Sequence, residues 1–226
     1  MPDMRAALTV VVALGLTLTG CGGKAAQVPA LLGRSALPDL LAGGPAVDKI
    51  MGTTLNAHPV AENLADHRNL LPNVNCLGVW QPAEASIYGD TVGGVRRQAL
   101  RNPESDTWDQ LVVQAVVYYP DVAGAQGFLT ESAGRWNKCT DHHVNITVNG
   151  RQLPKWLSGH VSVTDTQLSM PITLGAGEQA RYCQHVLRRI ANVIADVQAC
   201  TPGPAPVTAA ERIADAIQAN ATHVHT

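Results

Sequence analysis

The chain has 226 residues, is 46% hydrophobic but only 15% charged, and carries a net charge of −2. The charged share is well under the average of about 25%, which suits a globular domain with a substantial core and argues against disorder. The lack of any basic surplus excludes a general nucleic-acid binder.

Residues 6–19 form an uncharged run, too short to span a bilayer comfortably but right for the core of a signal peptide. It ends in Leu18-Thr19-Gly20-Cys21. That order reads as a lipobox, in which small residues admit the signal peptidase and the thiol accepts diacylglycerol. Residues 1–20 are therefore expected to be a lipoprotein signal peptide. Cys21 becomes the lipidated N-terminus, and residues 21–36 form a tether. The lipid would be the membrane contact, which places the rest on the extracytoplasmic face.

With Cys21 set aside, four cysteines remain: Cys76, Cys139, Cys183 and Cys200. In an oxidising compartment an even number implies two disulfides, with three possible connectivities. None sits in a CxxC pair, so neither zinc nor thioredoxin-like chemistry is indicated.

Leu37, Leu40 and Leu41, then Val47, Ile50 and Met51, are spaced like two short helices separated at Gly43-Gly44-Pro45. Residues 56–75 are polar and loop-like. Cys76-Leu77-Gly78-Val79-Trp80 has a strand-like texture, and residues 95–100 and 111–119 read as strands rich in β-branched and aromatic side chains. Asp121 caps a predicted helix running towards Lys138, with Val122, Ala125, Phe128, Leu129 and Trp136 largely on one face. Val144, Ile146 and Val148 alternate as in a half-buried strand, and 156–157 and 161–168 suggest further short strands.

Residues 181–200 are the most informative. Folded as a hairpin about Ala191-Asn192, they set Ile190 against Val193, and Cys183 and Cys200 lie equally far from the turn. The two cysteines then face each other across the strands, while Val186, Ile190, Val193 and Val197 make an apolar stripe. This favours Cys183–Cys200 and leaves Cys76–Cys139, worth roughly 3 and 4 kcal/mol in the chain-entropy model. Thr208 and Glu211 form a capping box for a last helix with Ala210, Ile213, Ala214 and Ile217 inward, and residues 221–226, His223 and His225 among them, form a flexible tail.

Gly175-Ala176-Gly177-Glu178-Gln179-Ala180 has the form of a dinucleotide fingerprint, but Cys183 falls in its supposed helix and too little chain follows for a doubly wound sheet. No GxSxG, SxxK or HExxH pattern is present, so no catalytic residue, metal ligand or cofactor is assigned. His142, His143, His160 and His185 read as surface histidines, because adjacent residues of a strand point to opposite faces. Of the four tryptophans, Trp136 and Trp156, with Arg97, Gln114 and Arg135, are the candidates for lining a ligand cleft.

A family resemblance follows the cysteines and tryptophans. Cys76 precedes Trp80, and a strand ends at Tyr118-Tyr119-Pro120. An Asp121-initiated helix ends at Trp136-Asn137-Lys138-Cys139. An isolated Trp156 follows, and then Cys183, Asn192-Val193-Ile194-Ala195-Asp196-Val197 and Cys200. Over about residues 37–220 this resembles the extracellular sensor domain of PknH-type mycobacterial kinases and the stand-alone lipoproteins that share it. The resemblance implies a single α+β domain: a twisted, mainly antiparallel sheet with packed helices, a V-shaped cleft and two disulfides. It implies the same cysteine pairing, first with second and third with fourth. The expected function is a non-catalytic, ligand-binding or sensor-like envelope lipoprotein whose ligand is a small envelope molecule. The alternatives are an interaction module for an envelope protein, or a hydrolase with an unfamiliar site.

Overall fold

A computed structural model describes residues 30–70, 74–105, 107–148, 151–203 and 207–224. The signal peptide, Cys21 and most of the tether lie outside the described residues. The domain includes residues expected in the tether: Leu32 and Ala36 are buried, and a 3-10 turn spans Arg34–Asp39. Leu32 is held through its backbone by the Asn192 side chain, so this part of the tether belongs to the domain.

Helix α1 (Gly44–Met51) starts at Gly44-Pro45, since a proline in the first turn has no needed N–H to lose, and it ends at Gly52 in the left-handed region. Strand β1 (Asn56–Ala57) is short. Residues 77–80 correct the expected strand: they form a one-turn helix, α2 (Leu77–Trp80). Leu77, Val79 and Trp80 are all buried, and a short apolar run satisfies either period. Gly78 packs closely on Ile87 of α3 (Ala85–Tyr88), where a Cβ would lie only 3.0 Å from that side chain.

Strands β2 (Gly94–Asn102) and β3 (Gln110–Tyr118) form a hairpin. Helix α4 (Val122–Lys138) is capped as expected by Asp121, whose carboxylate accepts the Gly124 N–H at 2.7 Å. The single strand expected at 144–148 is two, β4 (His143–Val144) and β5 (Thr147–Val148). They are followed by β6 (Arg151–Gln152), β7 (Trp156–Ser158), β8 (Ser162–Val163) and β9 (Gln167–Leu174). The glycine-rich segment at 175–180 is the turn from β9 into β10 (Arg181–Ile190), another strand, so no dinucleotide-binding helix follows it. Strand β11 (Val193–Thr201) returns in the expected register, with Ile190 opposite Val193 and Cys183 opposite Cys200. Both disulfides form, Cys76–Cys139 and Cys183–Cys200.

The last helix, α5 (Ala209–His223), buries Ala210, Ile213, Ala214 and Ile217 as expected. The Thr208 capping bond does not form; instead Gln184 on β10 accepts the Glu211 N–H at 3.3 Å. A tertiary acceptor has replaced the local one. The helix also continues past 220, with Ala221 buried and His223 in its last turn, where a tail was expected. Among the described residues no helix is long and apolar enough to cross a membrane.

The main sheet runs β1-β2-β3-β11-β10-β9-β7-β4 with antiparallel pairing throughout, and β8 adds to β9. Helices cover both faces, which is why β11 is buried at almost every position rather than at alternate ones. Val186, Ile190, Val193 and Val197 face α1 and α5, with Val47, Ile213 and Ile217. Cys183, Leu187, Ile194 and Cys200 face α2, α3 and α4, with Trp80, Tyr88, Phe128 and Trp136. This is the α+β architecture, a mainly antiparallel sheet with packed helices and two disulfides.

Candidate functional site

The α4 face of the sheet contains a buried polar cluster. Once β10 and β11 are in register, with Leu187 opposite Asp196, His185 is the diagonal neighbour of Asp196. Asp196 Oδ1 meets His185 Nε2 at 2.6 Å, and Oδ2 accepts from the Tyr88 hydroxyl and the Ala83 N–H, both at 2.8 Å. His185 Nδ1 donates to the Val79 carbonyl at 2.7 Å, and the ring packs on Trp136 with centroids 4.8 Å apart. His185 is thus wholly buried, which corrects its assignment to the surface. Burial and the neighbouring Asp196 charge push the Tyr88 hydroxyl well above its ordinary pKa, so it remains a donor.

A His–Asp pair invites comparison with a catalytic dyad, but both ring nitrogens are committed here and no lone pair faces a nucleophile. Ser132 accepts from Arg135 Nη2 at 3.0 Å, and Ser158 donates to the Cys139 carbonyl. Neither serine bonds a histidine ring. The cluster is a structural brace joining α2, α3 and the central hairpin.

A concavity of about 680 Å³ lies beside the Cys76–Cys139 bridge, where α4 ends and β4 begins. Arg135 and Lys138 reach it from the last turn of α4, where basic side chains also complement the helix dipole. His142 and His143 follow the turn at Asp141, which has a φ of 51°. Trp80, Val144 and the disulfide supply apolar wall, and Asn75 and Asn145 complete it. None of the described lining residues is acidic. Arg135 is steadied by Glu131 at 3.4 Å and lies 5.7 Å from the centroid of the Phe128 ring. The Trp80 Nε1–H is buried and has no acceptor among the described residues. A smaller recess of about 380 Å³, also against α4, has Tyr119 and Phe128 with Asp121 and Glu131.

The residues proposed from sequence do not all converge. Arg135 lines the cavity. Trp156 is buried and pairs in register with Val144, but it is not among the residues lining the cavity. Trp136 lies next to Arg135 in sequence but turns inward onto His185. Gln114 is on the opposite face of the sheet, where it both donates to and accepts from the Ala42 backbone at 2.9 Å; it is a structural pin and not a ligand group. Arg97, on β2, pairs with Ala115 of β3 and lies near His67; it is not among the residues lining the cavity. Sequence reasoning missed Trp80, Lys138, His142 and His143. The available signal was their closeness along the chain to Cys76 and Cys139.

A third polar contact lies at the edge of the α2–α3 segment. Glu84 is fully buried and its carboxylate holds both the His67 ring and the His67 N–H. The hydrogen bond and charge of Glu84 raise the His67 pKa above 6.5 despite partial burial. A raised histidine contributes stability that is complete below its unfolded pKa and is lost as pH rises through the folded one. His67→Gln should therefore lower the melting temperature at pH 5.5, with the gap to the parent protein closing by pH 9. A gap that widens with pH in thermal melts would contradict this sign.

The fold is a disulfide-stapled α+β domain built on one mainly antiparallel sheet. The family model for the PknH-like extracellular domain matches residues 32–220, and the chain belongs to that family. It is 25% identical over 187 residues to the serine/threonine-protein kinase PknH of Mycobacterium tuberculosis (strain H37Rv) and to that of Mycobacterium bovis (strain AF2122/97). The match covers 78% of this chain but only 28% and 30% of those kinases, so the chain spans less than a third of their length. The crystal structure of the extracellular domain of PknH from Mycobacterium tuberculosis superposes with a TM-score of 0.76 at 21% identity, covering 86% of this chain and 99% of that one.

Proposed function

We propose that this protein is a cell-envelope lipoprotein, anchored through Cys21, whose PknH-like domain binds a small envelope molecule without transforming it. The observation that carries the binding reading is the cavity of about 680 Å³ beside the Cys76–Cys139 bridge, within the usual range of about 300–1,000 Å³ for ligand pockets. Its wall combines apolar surface with a few polar groups, as ligand pockets do. The spent ring nitrogens of His185 support binding over hydrolysis. An interaction module for an envelope protein is the other reading, and it would use a flat apolar face. The anchor rests on Leu18-Thr19-Gly20-Cys21. Metabolic labelling with a fatty-acid analogue should mark the protein and not Cys21→Ala, which should also leave the detergent phase. Labelling that persists in the variant would remove the lipoprotein part of the proposal.

A further inference from the structure

We infer that the cavity beside Cys76–Cys139 recognises an oxyanion carried on an apolar body, a phosphate- or carboxylate-headed amphiphile. This rests on the binding reading and names the ligand class. Arg135, Lys138, His142 and His143 all line one space, and no described lining residue is acidic. Such a set attracts anions and repels cations. Arg135 is held in place by Glu131 and Ser132, so its planar fork is oriented before a ligand arrives. Lys138 is exposed and has no ion pair among the described residues, leaving a full point charge at the rim.

A second observation is independent of the charges. Trp80 is 2% exposed, yet its Nε1–H has no acceptor. A buried donor left unpaired is destabilising, and Trp80 lines the cavity, where a ligand oxygen supplies the missing acceptor. The opposite sign is found at the other recess on α4, which is lined by Asp121 and Glu131. Of these two concavities only the one beside the disulfide has no acidic lining residue, and Glu131 at the edge of the other is the ion-pair partner of Arg135. An inorganic ion would leave most of about 680 Å³ unfilled. Trp80, Val144 and the disulfide make the remaining surface apolar, which is what requires the apolar body.

The test uses the full chain in phosphatidylcholine nanodiscs, titrated with dihexanoyl phosphatidic acid, with dihexanoylglycerol, which lacks only the phosphate, and with inorganic phosphate. The phosphatidic acid should bind at least tenfold more tightly than either of the others. That preference should fall at least tenfold in Arg135→Gln/Lys138→Gln, and in the exposed single variant Lys138→Glu, which keeps the helix intact. It should survive in Asp121→Asn, which alters the other recess. Nanodiscs doped with long-chain phosphatidic acid separate the sources: competition by the doped lipid marks a bilayer headgroup, and its absence marks a molecule taken up free, both within the inferred class. Equal binding of dihexanoylglycerol, blocked by Asn145→Trp, would overturn the anion while keeping the cavity as the site. Binding of every probe unchanged in Asn145→Trp would overturn both.

Discussion

Asp196→Ala is expected to lower the unfolding free energy by about 3–5 kcal/mol, the range for removing one partner of a buried charge pair. The carboxylate serves three donors at once, the Ala83 N–H, the Tyr88 hydroxyl and His185. Its loss leaves those groups without an acceptor in a region from which water is excluded. For a domain of this size the melting temperature should fall by on the order of 10 °C. Tyr88→Phe removes one donor and leaves Asp196 with its other partners, so it should cost only about 1 kcal/mol. The two variants, melted side by side, test whether the cluster acts as a brace centred on Asp196. Equal losses would contradict that centre.

Removing the Cys76–Cys139 bridge as a Cys→Ser pair should cost about 4 kcal/mol, against about 3 kcal/mol for the Cys183–Cys200 pair. The first closes a sequence separation of 63 and the second one of 17. Topology points the same way. Cys183 and Cys200 are already opposed by the β10–β11 ladder, which keeps its register without the sulfurs. Cys76 and Cys139 join the start of α2 to the end of α4, and these segments have no ladder between them. Against a total stability of about 5–15 kcal/mol the first loss is large. It also opens the wall of the cavity, so ligand binding should fall with stability in that variant and persist in the other. Urea titrations of both double variants read the order directly. A greater loss from the Cys183–Cys200 pair would contradict it.

The hairpin was readable in the chain because one turn position sets every cross-strand pair, and two cysteines equidistant from Ala191-Asn192 had to agree with it. Helix α4 was readable because Asp121 follows a strand-ending proline and the apolar residues recur at helical spacing. Residues 77–80 were misread because three buried side chains in four positions fit a strand or a helical turn equally well. The burial of His185 was within reach, since the same register places it diagonal to Asp196. Taken alone, a histidine among Gln184 and Arg188 reads as surface. Gln114 could not be placed because its partner is the Ala42 backbone, 72 positions away, and nothing local marks that bond. The cavity was hidden for a related reason: it forms where a disulfide draws α2 against the end of α4, and its cationic residues take their role from that closure.

The binding account is tested most directly by native mass spectrometry of the protein released intact from its own envelope. The account predicts a small molecule retained by the parent chain in defined stoichiometry, and lost from an otherwise folded Asn145→Trp variant whose cavity is filled. A parent protein that carries nothing beyond its anchor, or a molecule retained equally by both, would contradict the cavity as the site.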